Sequence, residues 1–210
     1  MEVKVSLIIT CYNREKFIFR AIRSALNQTI NKNLFEVIVV DDHSSDNSIN
    51  IIETFSDKII VIKHEKNLGL PSARNSGIKA ALGRYVVHLD SDDYVHPELL
   101  KIECMFLDLN IEIGAVSCDY FEVCSDETIR KRKSGIDYPI ACGIMFRKKH
   151  LIDLGLYNEE MLMCEEEELR KRFEKSFKIE NIKLPLYRYT KHAENMTNDK
   201  KLHSEYKKKL

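Results

Sequence analysis

The chain has 210 residues, with 33 basic and 33 acidic side chains, six Cys, no Trp, seven Gly and four Pro. That composition excludes disordered, collagen-like and mucin-like classes, and zero formal net charge removes the basic footprint expected of a nucleic-acid-binding protein. The length fits one domain, and without Cys-x-x-Cys or paired Cys/His spacing the cysteines are expected reduced, mostly buried and cytosolic.

Residues 3–10 are β-branched and continuous, the pattern of a strand buried on both faces of a parallel sheet. The run is too short for a membrane span and reads as a first strand, not a signal peptide. Ile18, Ala21, Ile22, Ala25 and Leu26 then form one stripe of an amphipathic helix. Residues 35–40 are a second strand, a short helix carries Ile49, Ile52 and Phe55 with Ser45 as its expected cap, and residues 59–62 are a third strand. A helix over 73–82 is ended by Gly83, and residues 85–89 make a fourth strand. Strand alternating with helix predicts a doubly wound, Rossmann-like, mostly parallel α/β sheet.

Past Asp93 the pattern changes. A helix is expected from Pro97 to about 109, strands over 115–123 and 139–146, and a helix over 148–154 closed by Gly155. A very acidic helix runs from 165 to about 173, followed by Leu184-Pro185-Leu186-Tyr187-Arg188-Tyr189 and a polar tail. No repeat or linker divides the chain, so residues 1–210 read as one domain.

Ligands of open α/β sheets bind beyond the carboxyl ends of the strands. Here those ends read Thr10-Cys11-Tyr12-Asn13-Arg14, Asp41-Asp42-His43-Ser44-Ser45-Asp46, Asn67-Leu68-Gly69 and Asp90-Ser91-Asp92-Asp93. Asp, Asn and Ser also terminate strands and cap helices, but four such ends together predict one polar cleft. No Gly-x-Gly-x-x-Gly or Gly-x-x-x-x-Gly-Lys occurs, so a bound nucleotide diphosphate needs a cation. Asp90, Asp92 and Asp93 supply hard oxygen ligands for one Mg²⁺ or Mn²⁺.

These segments, with Leu70-Pro71-Ser72-Ala73-Arg74-Asn75-Ser76-Gly77 after the third, resemble in order the motifs of family 2 glycosyltransferases with a GT-A fold. The acidic run Glu165-Glu166-Glu167-Glu168 resembles that family's acceptor-side helix, and Tyr187-Arg188-Tyr189 with His192, Asn195 and Thr197 resembles its closing segment. The resemblance makes residues 1–95 a nucleotide-sugar-binding half, 96–190 an acceptor-side half and 191–210 a polar basic tail. It implies that Thr10, Tyr12 and Asp42 line the nucleobase and ribose pocket with Asp41 beside them, that Arg74 reaches the nucleotide, and that Asp90 holds ribose or sugar hydroxyls. Asp92 would be the main metal ligand, Asp93 a helper, and His192 an approach to metal or diphosphate from the closing segment.

The implied reaction is an inverting, metal-dependent transfer from a nucleotide diphosphate sugar, UDP favoured, to a hydroxyl of a glycan or lipid-linked saccharide. A single displacement needs a carboxylate to take the acceptor's proton while positive charge meets the departing diphosphate. The family's aspartate base corresponds to Glu166, after Glu165; Glu165 or Glu167 remain alternatives for the inward position. Four glutamates in a first helical turn also suit the helix dipole. A sugar-1-phosphate nucleotidyltransferase is disfavoured because its glycine-rich loop is missing after the first strand. A non-catalytic nucleotide-sugar or glycan-binding subunit is the remaining rival. The tail carries six Lys against three acidic residues and reads as a frayed terminus, its charge suited to peripheral contact with an anionic membrane.

Overall fold

The structure, a computed structural model, describes residues 2–210. Val5–Cys11 (β1) is buried at every position, as its unbroken apolar run requires. Phe35–Asp41 (β2), Ile60–Lys63 (β3) and Tyr85–Asp90 (β4) join it in the parallel order β3-β2-β1-β4. Registers from Val5↔Phe35 to Cys11↔Asp41 and from Val5↔Tyr85 to Thr10↔Asp90 bring the polar ends of three strands to one level.

Ile18–Leu26 (α1) and Ser48–Glu53 (α2) cover one face, while Leu70–Ala80 (α3) covers the other. Successive strand side chains point to opposite faces, so Leu7 and Ile9 pack with α1 and α2 while Ile8 packs with α3. Each aliphatic side chain buried this way contributes about 1.5–3 kcal/mol. The sheet and α3 approach closely at Gly77, where a Cβ would stand 2.4 Å from Ile8 Cγ2.

The second half contributes Tyr94–Val95 (β5), Leu99–Leu109 (α4), Ile113–Cys124 (β6), Ile129–Lys133 (β7) and Ile144–Arg147 (β8). Lys148–Asp153 (α5), Glu165–Glu174 (α6), Lys178–Lys191 (β9) and Lys200–Lys207 (α7) complete it. The strand order is β3-β2-β1-β4-β8-β6-β9-β5, with β7 paired to β6. β8 is antiparallel to both β4 and β6, so β6 and β9 run in the direction of β1 to β4. The sheet is therefore mostly parallel. α4 lies on the α1 face and α5 and α6 on the α3 face, making the fold doubly wound.

Several local expectations are corrected. Ser45 does not cap α2, which starts at Ser48, whose amide donates to Asp46 Oδ1 at 2.9 Å. α3 starts at Leu70 rather than 73 because Gly69, at φ 89°, turns the chain and Pro71 sits in the first turn. The expected strand over 139–146 is extended only from Ile144, since Gly143 adopts φ 66° and residues 139–142 stay a loop. The tail is not a frayed terminus: β9 reaches Lys191, α7 follows, and Tyr206 is buried against Met161, Met163 and Cys164.

All six cysteines are free and five are buried. Among the described residues no helix is long and apolar enough to cross a membrane.

Candidate functional site

The carboxyl ends of β1, β2 and β4 and the amino-terminal turns of α3 and α6 open onto one cleft of about 800 Å³. Thr10, Tyr12, Asp42, Arg74, Asp90, Asp92, Glu165 and Glu166 all line it. Tyr12 is 47% exposed and presents its ring to the cleft mouth, whereas Thr10 is buried at the end of β1.

Asp42 organises the wall formed by the end of β2 and the β3–α3 loop. The amides of Leu68 and Gly69 donate to its Oδ1 and Oδ2 at 2.8 Å each, and His64 Nδ1 lies 2.7 Å from Oδ1. His64 Nε2 in turn lies 2.9 Å from Ser76 Oγ, which ties this loop to α3. Asp41 does not line the cleft, correcting its expected place beside the pocket. Its Oδ2 accepts from the Ser44 amide at 3.2 Å and holds the β2–α2 turn, while its Oδ1 is buried without a partner. Asn13, left-handed at φ 51°, laces the same turn to the β1–α1 turn: its Oδ1 accepts from the Ser45 amide at 2.8 Å.

Arg74 is the buried keystone between the two halves. It is 1% exposed; Nη2 lies 3.2 Å from Asp90 Oδ1, Nη1 pairs with Glu165, and its guanidinium packs 5.4 Å from the Tyr157 ring centroid. Its charge is committed to two carboxylates of this chain where it lines the cleft. Burial and the Arg74 charge hold the adjacent His88 well below the usual imidazole range, so it is neutral.

Asp90, Ser91 and Asp92 turn into the cleft from the end of β4. Arg14 Nε stands 3.5 Å and His192 Nε2 2.9 Å from the same Asp92 oxygen, Oδ2. His192 stands behind Asp92 rather than on the cleft lining. Burial and then the Asp90 charge raise the Asp92 carboxyl above its ordinary range. Two carboxylates sharing a desolvated cleft suit one hard divalent cation, which would remove the repulsion between them. Asp93 does not belong to that set. It is 1% exposed, with Oδ1 accepting from the Thr190 amide and Oδ2 from the Tyr187 hydroxyl, both at 2.7 Å. Burial, with the charges of Asp92 and Asp90, holds its carboxyl well above the usual range, so its expected helper role is corrected to a tie between the β4 turn and β9.

The glutamates of α6 separate by partner. Glu165 pairs with Arg74, Glu167 with Lys207 at 3.2 Å, and Glu168 with Arg172 at 2.6 Å. Glu166 has no ion-pair partner among the described residues and lines the cleft. Burial, then the neighbouring Glu165 charge, pushes its pKa up to about 7. A carboxylate there holds or releases a proton near neutrality, as a general base requires.

Sequence reasoning gave no role to several lining groups. Arg14 was part of a motif, but its approach to Asp92 is a tertiary contact. Residues 139–142, Leu162 and Met163 also line the cleft, where an extended strand was expected over part of that segment. Leu202 and His203 of α7 close the far wall; the Leu202, Tyr206 and Leu210 spacing at i, i+4 and i+8 was the available signal.

Residues 6–133 match the profile of glycosyl transferase family 2. The chain belongs to that family. Its likeness to a poly(ribitol-phosphate) beta-glucosyltransferase of Bacillus spizizenii is 41% identity over 102 residues, 47% of this chain and 16% of the relative. It is 40% identical over 109 residues to TarS of Staphylococcus aureus, a poly(ribitol-phosphate) beta-N-acetylglucosaminyltransferase, covering 50% of this chain and 19% of that one. The matched stretch is thus under a fifth of the length of either relative. S. aureus TarS 1–349 in complex with UDP superposes with a TM-score of 0.79 at 26% identity over 97% of this chain and 65% of that chain. A mannosyltransferase from Pyrobaculum calidifontis in complex with GDP-Man and Mn²⁺ has a TM-score of 0.70 at 19% identity, over 93% of this chain and 59% of that chain, and shares the fold. This family 2 chain has the GT-A fold.

Proposed function

We propose that the chain is the donor-binding and catalytic unit of a metal-dependent, inverting glycosyltransferase. It transfers a hexosyl or N-acetylhexosaminyl group from a UDP-sugar to a hydroxyl of a surface polysaccharide or lipid-linked saccharide, at the cytoplasmic side. The observation that carries this reading is Glu166: a glutamate free of ion pairs, raised to about 7, in the same cleft as Asp90 and Asp92. The TarS complexes with UDP and UDP-GlcNAc support the choice of uridine.

Thr10, Tyr12 and Asp42 form the base and ribose pocket, with the Tyr12 ring as a stacking platform. Asp90 accepts hydrogen bonds from ribose or sugar hydroxyls while Arg74 fixes its orientation. Asp92, with His192 behind it, would hold a Mn²⁺ or Mg²⁺ ion, which when bound would supply positive charge for the diphosphate leaving group. Glu166 accepts the acceptor hydroxyl's proton as that oxygen attacks the anomeric carbon, and attack on the face opposite the leaving group inverts the centre. Glu165 pairs with Arg74 beside it, and burial together with the Glu165 charge raises Glu166 toward neutrality.

The test is a thermal-shift panel of UDP, GDP, CDP, dTDP and ADP, each with and without Mn²⁺. UDP with metal at about 100 times its Kd is expected to add about 2.7 kcal/mol of stability. Donor hydrolysis without acceptor then separates catalysis from a binding-only subunit, which would take up UDP-sugar and release no UDP. Stabilisation by no nucleotide would sink the donor-site reading.

A further inference from the structure

A second cluster of ligating side chains lies on the far wall of the cleft, where the transfer described above uses none of them. Cys164 Sγ, a Glu167 carboxylate oxygen and a His203 ring nitrogen all lie within 4.8 Å of one another. Cys164 and Glu167 are three residues apart at the start of α6, and His203 comes from α7. Cys164 is buried, and it reaches this place in a left-handed backbone conformation, φ 60° and ψ 22°, that residues with a Cβ seldom adopt.

We infer that Cys164, Glu167 and His203 form a zinc site that fastens α7 across the far wall of the cleft. One thiolate, one imidazole and one carboxylate are a borderline-soft set that suits tetrahedral Zn²⁺, with a fourth position left for water or a ligand from the cleft. Mg²⁺ and Mn²⁺ favour all-oxygen ligands, so this site and the Asp92 site select different ions. Bond lengths of about 2.3 Å to sulfur and about 2.05 Å to nitrogen set an S···N edge of about 3.6 Å in a tetrahedral site, the same scale as the separations here.

The surroundings agree with a cation at this point. Lys207 Nζ stands 3.2 Å from Glu167, so one positive charge already neutralises this carboxylate and is released when the metal takes its place. α7 otherwise rests on a small contact of Leu202, Tyr206 and Leu210 with Met161, Met163 and Cys164. A metal tie there would order a wall of the cleft whether or not the cleft transfers sugar.

The experiment uses the full chain stripped of metal by chelation and titrated calorimetrically with Zn²⁺ in excess Mg²⁺. One Zn²⁺ per chain is expected, with Kd weakened at least tenfold in Cys164→Ser and His203→Ala and unchanged in Asp92→Ala. Co²⁺ substitution should give the near-ultraviolet thiolate charge-transfer band in the parent and not in Cys164→Ser; circular dichroism checks that the variants fold. No stoichiometric Zn²⁺ in the parent overturns the site, as does Zn²⁺ that binds both ligand variants undiminished. Loss of Zn²⁺ in Asp92→Ala alone would assign the ion to the donor end and equally overturn it.

Discussion

The two halves of this cleft, which the proposed function assigns to donor and acceptor, are built by different means. β1, β2 and β4 end at one level because neighbouring parallel strands start together, and the short turns that follow carry the polar residues. The acceptor half depends on β8, β6 and β9, which come together from distant parts of the chain and include one reversed strand. A ligand pocket can be written locally, whereas a base aimed into that pocket requires long-range assembly. Arg74 joins the two, with Asp90 on one side and Glu165 on the other.

Four substitutions test this division, the first expected to have the largest effect. Glu166→Gln should lower transfer by about 10²- to 10⁴-fold while leaving Mn²⁺-dependent UDP binding intact, confining the damage to the acceptor half. The parent's rate should rise with pH through about 7, because the base acts only when deprotonated. Its raised pKa also means that the stability Glu166 contributes is complete below about 4.5 and lost as pH rises through about 7, so Glu166→Gln should melt higher than the parent only in the upper range.

Arg74→Met should cost about 3–5 kcal/mol in urea unfolding, since it leaves Glu165 buried without its partner. Adding Glu165→Gln to that variant should restore part of the loss; parental stability of the single variant would show that the bridge does not couple the halves. Asp92→Asn should abolish the metal-dependent portion of UDP stabilisation, about 2.7 kcal/mol at 100 times Kd, without disturbing the acceptor half. Gly77→Ala should cost about 1–3 kcal/mol in the donor half alone, because its Cβ would meet Ile8 and overpack the interface between α3 and the sheet.

The parallel donor half was legible in the sequence because strands buried on both faces read as unbroken apolar runs and each helix shows its own stripe. The acceptor half was less so. β7 reads Ile129-Arg130-Lys131-Arg132-Lys133, a charged edge strand without apolar alternation, which periodicity does not detect. Much of β9 is half-buried with a mixed pattern, and its pairing with β6 has no local signature. In the site, Asp42, Asp90 and Asp92 line the cleft, whereas Asp41 and Asp93, of the same residue type in the same motifs, do not. Motif position does not separate them: Asp42 and Asp93 both accept from backbone amides, and for Asp93 that amide belongs to Thr190, 97 residues away. The inward glutamate of α6 was narrowed to Glu166 only by the partners of its three neighbours.

The tie from Asp93 to β9 also sets an order of events during synthesis. Ribosomes deliver about 5–20 residues per second, so β1 to β4 emerge well before Tyr187 and Thr190. Until then the Asp93 carboxyl lacks both of its partners, although Arg14, Arg20 and Arg74 already reach the turn from earlier segments, and the slot between β6 and β5 stands open. Insertion of β9 fills that slot and buries Asp93 in a single event.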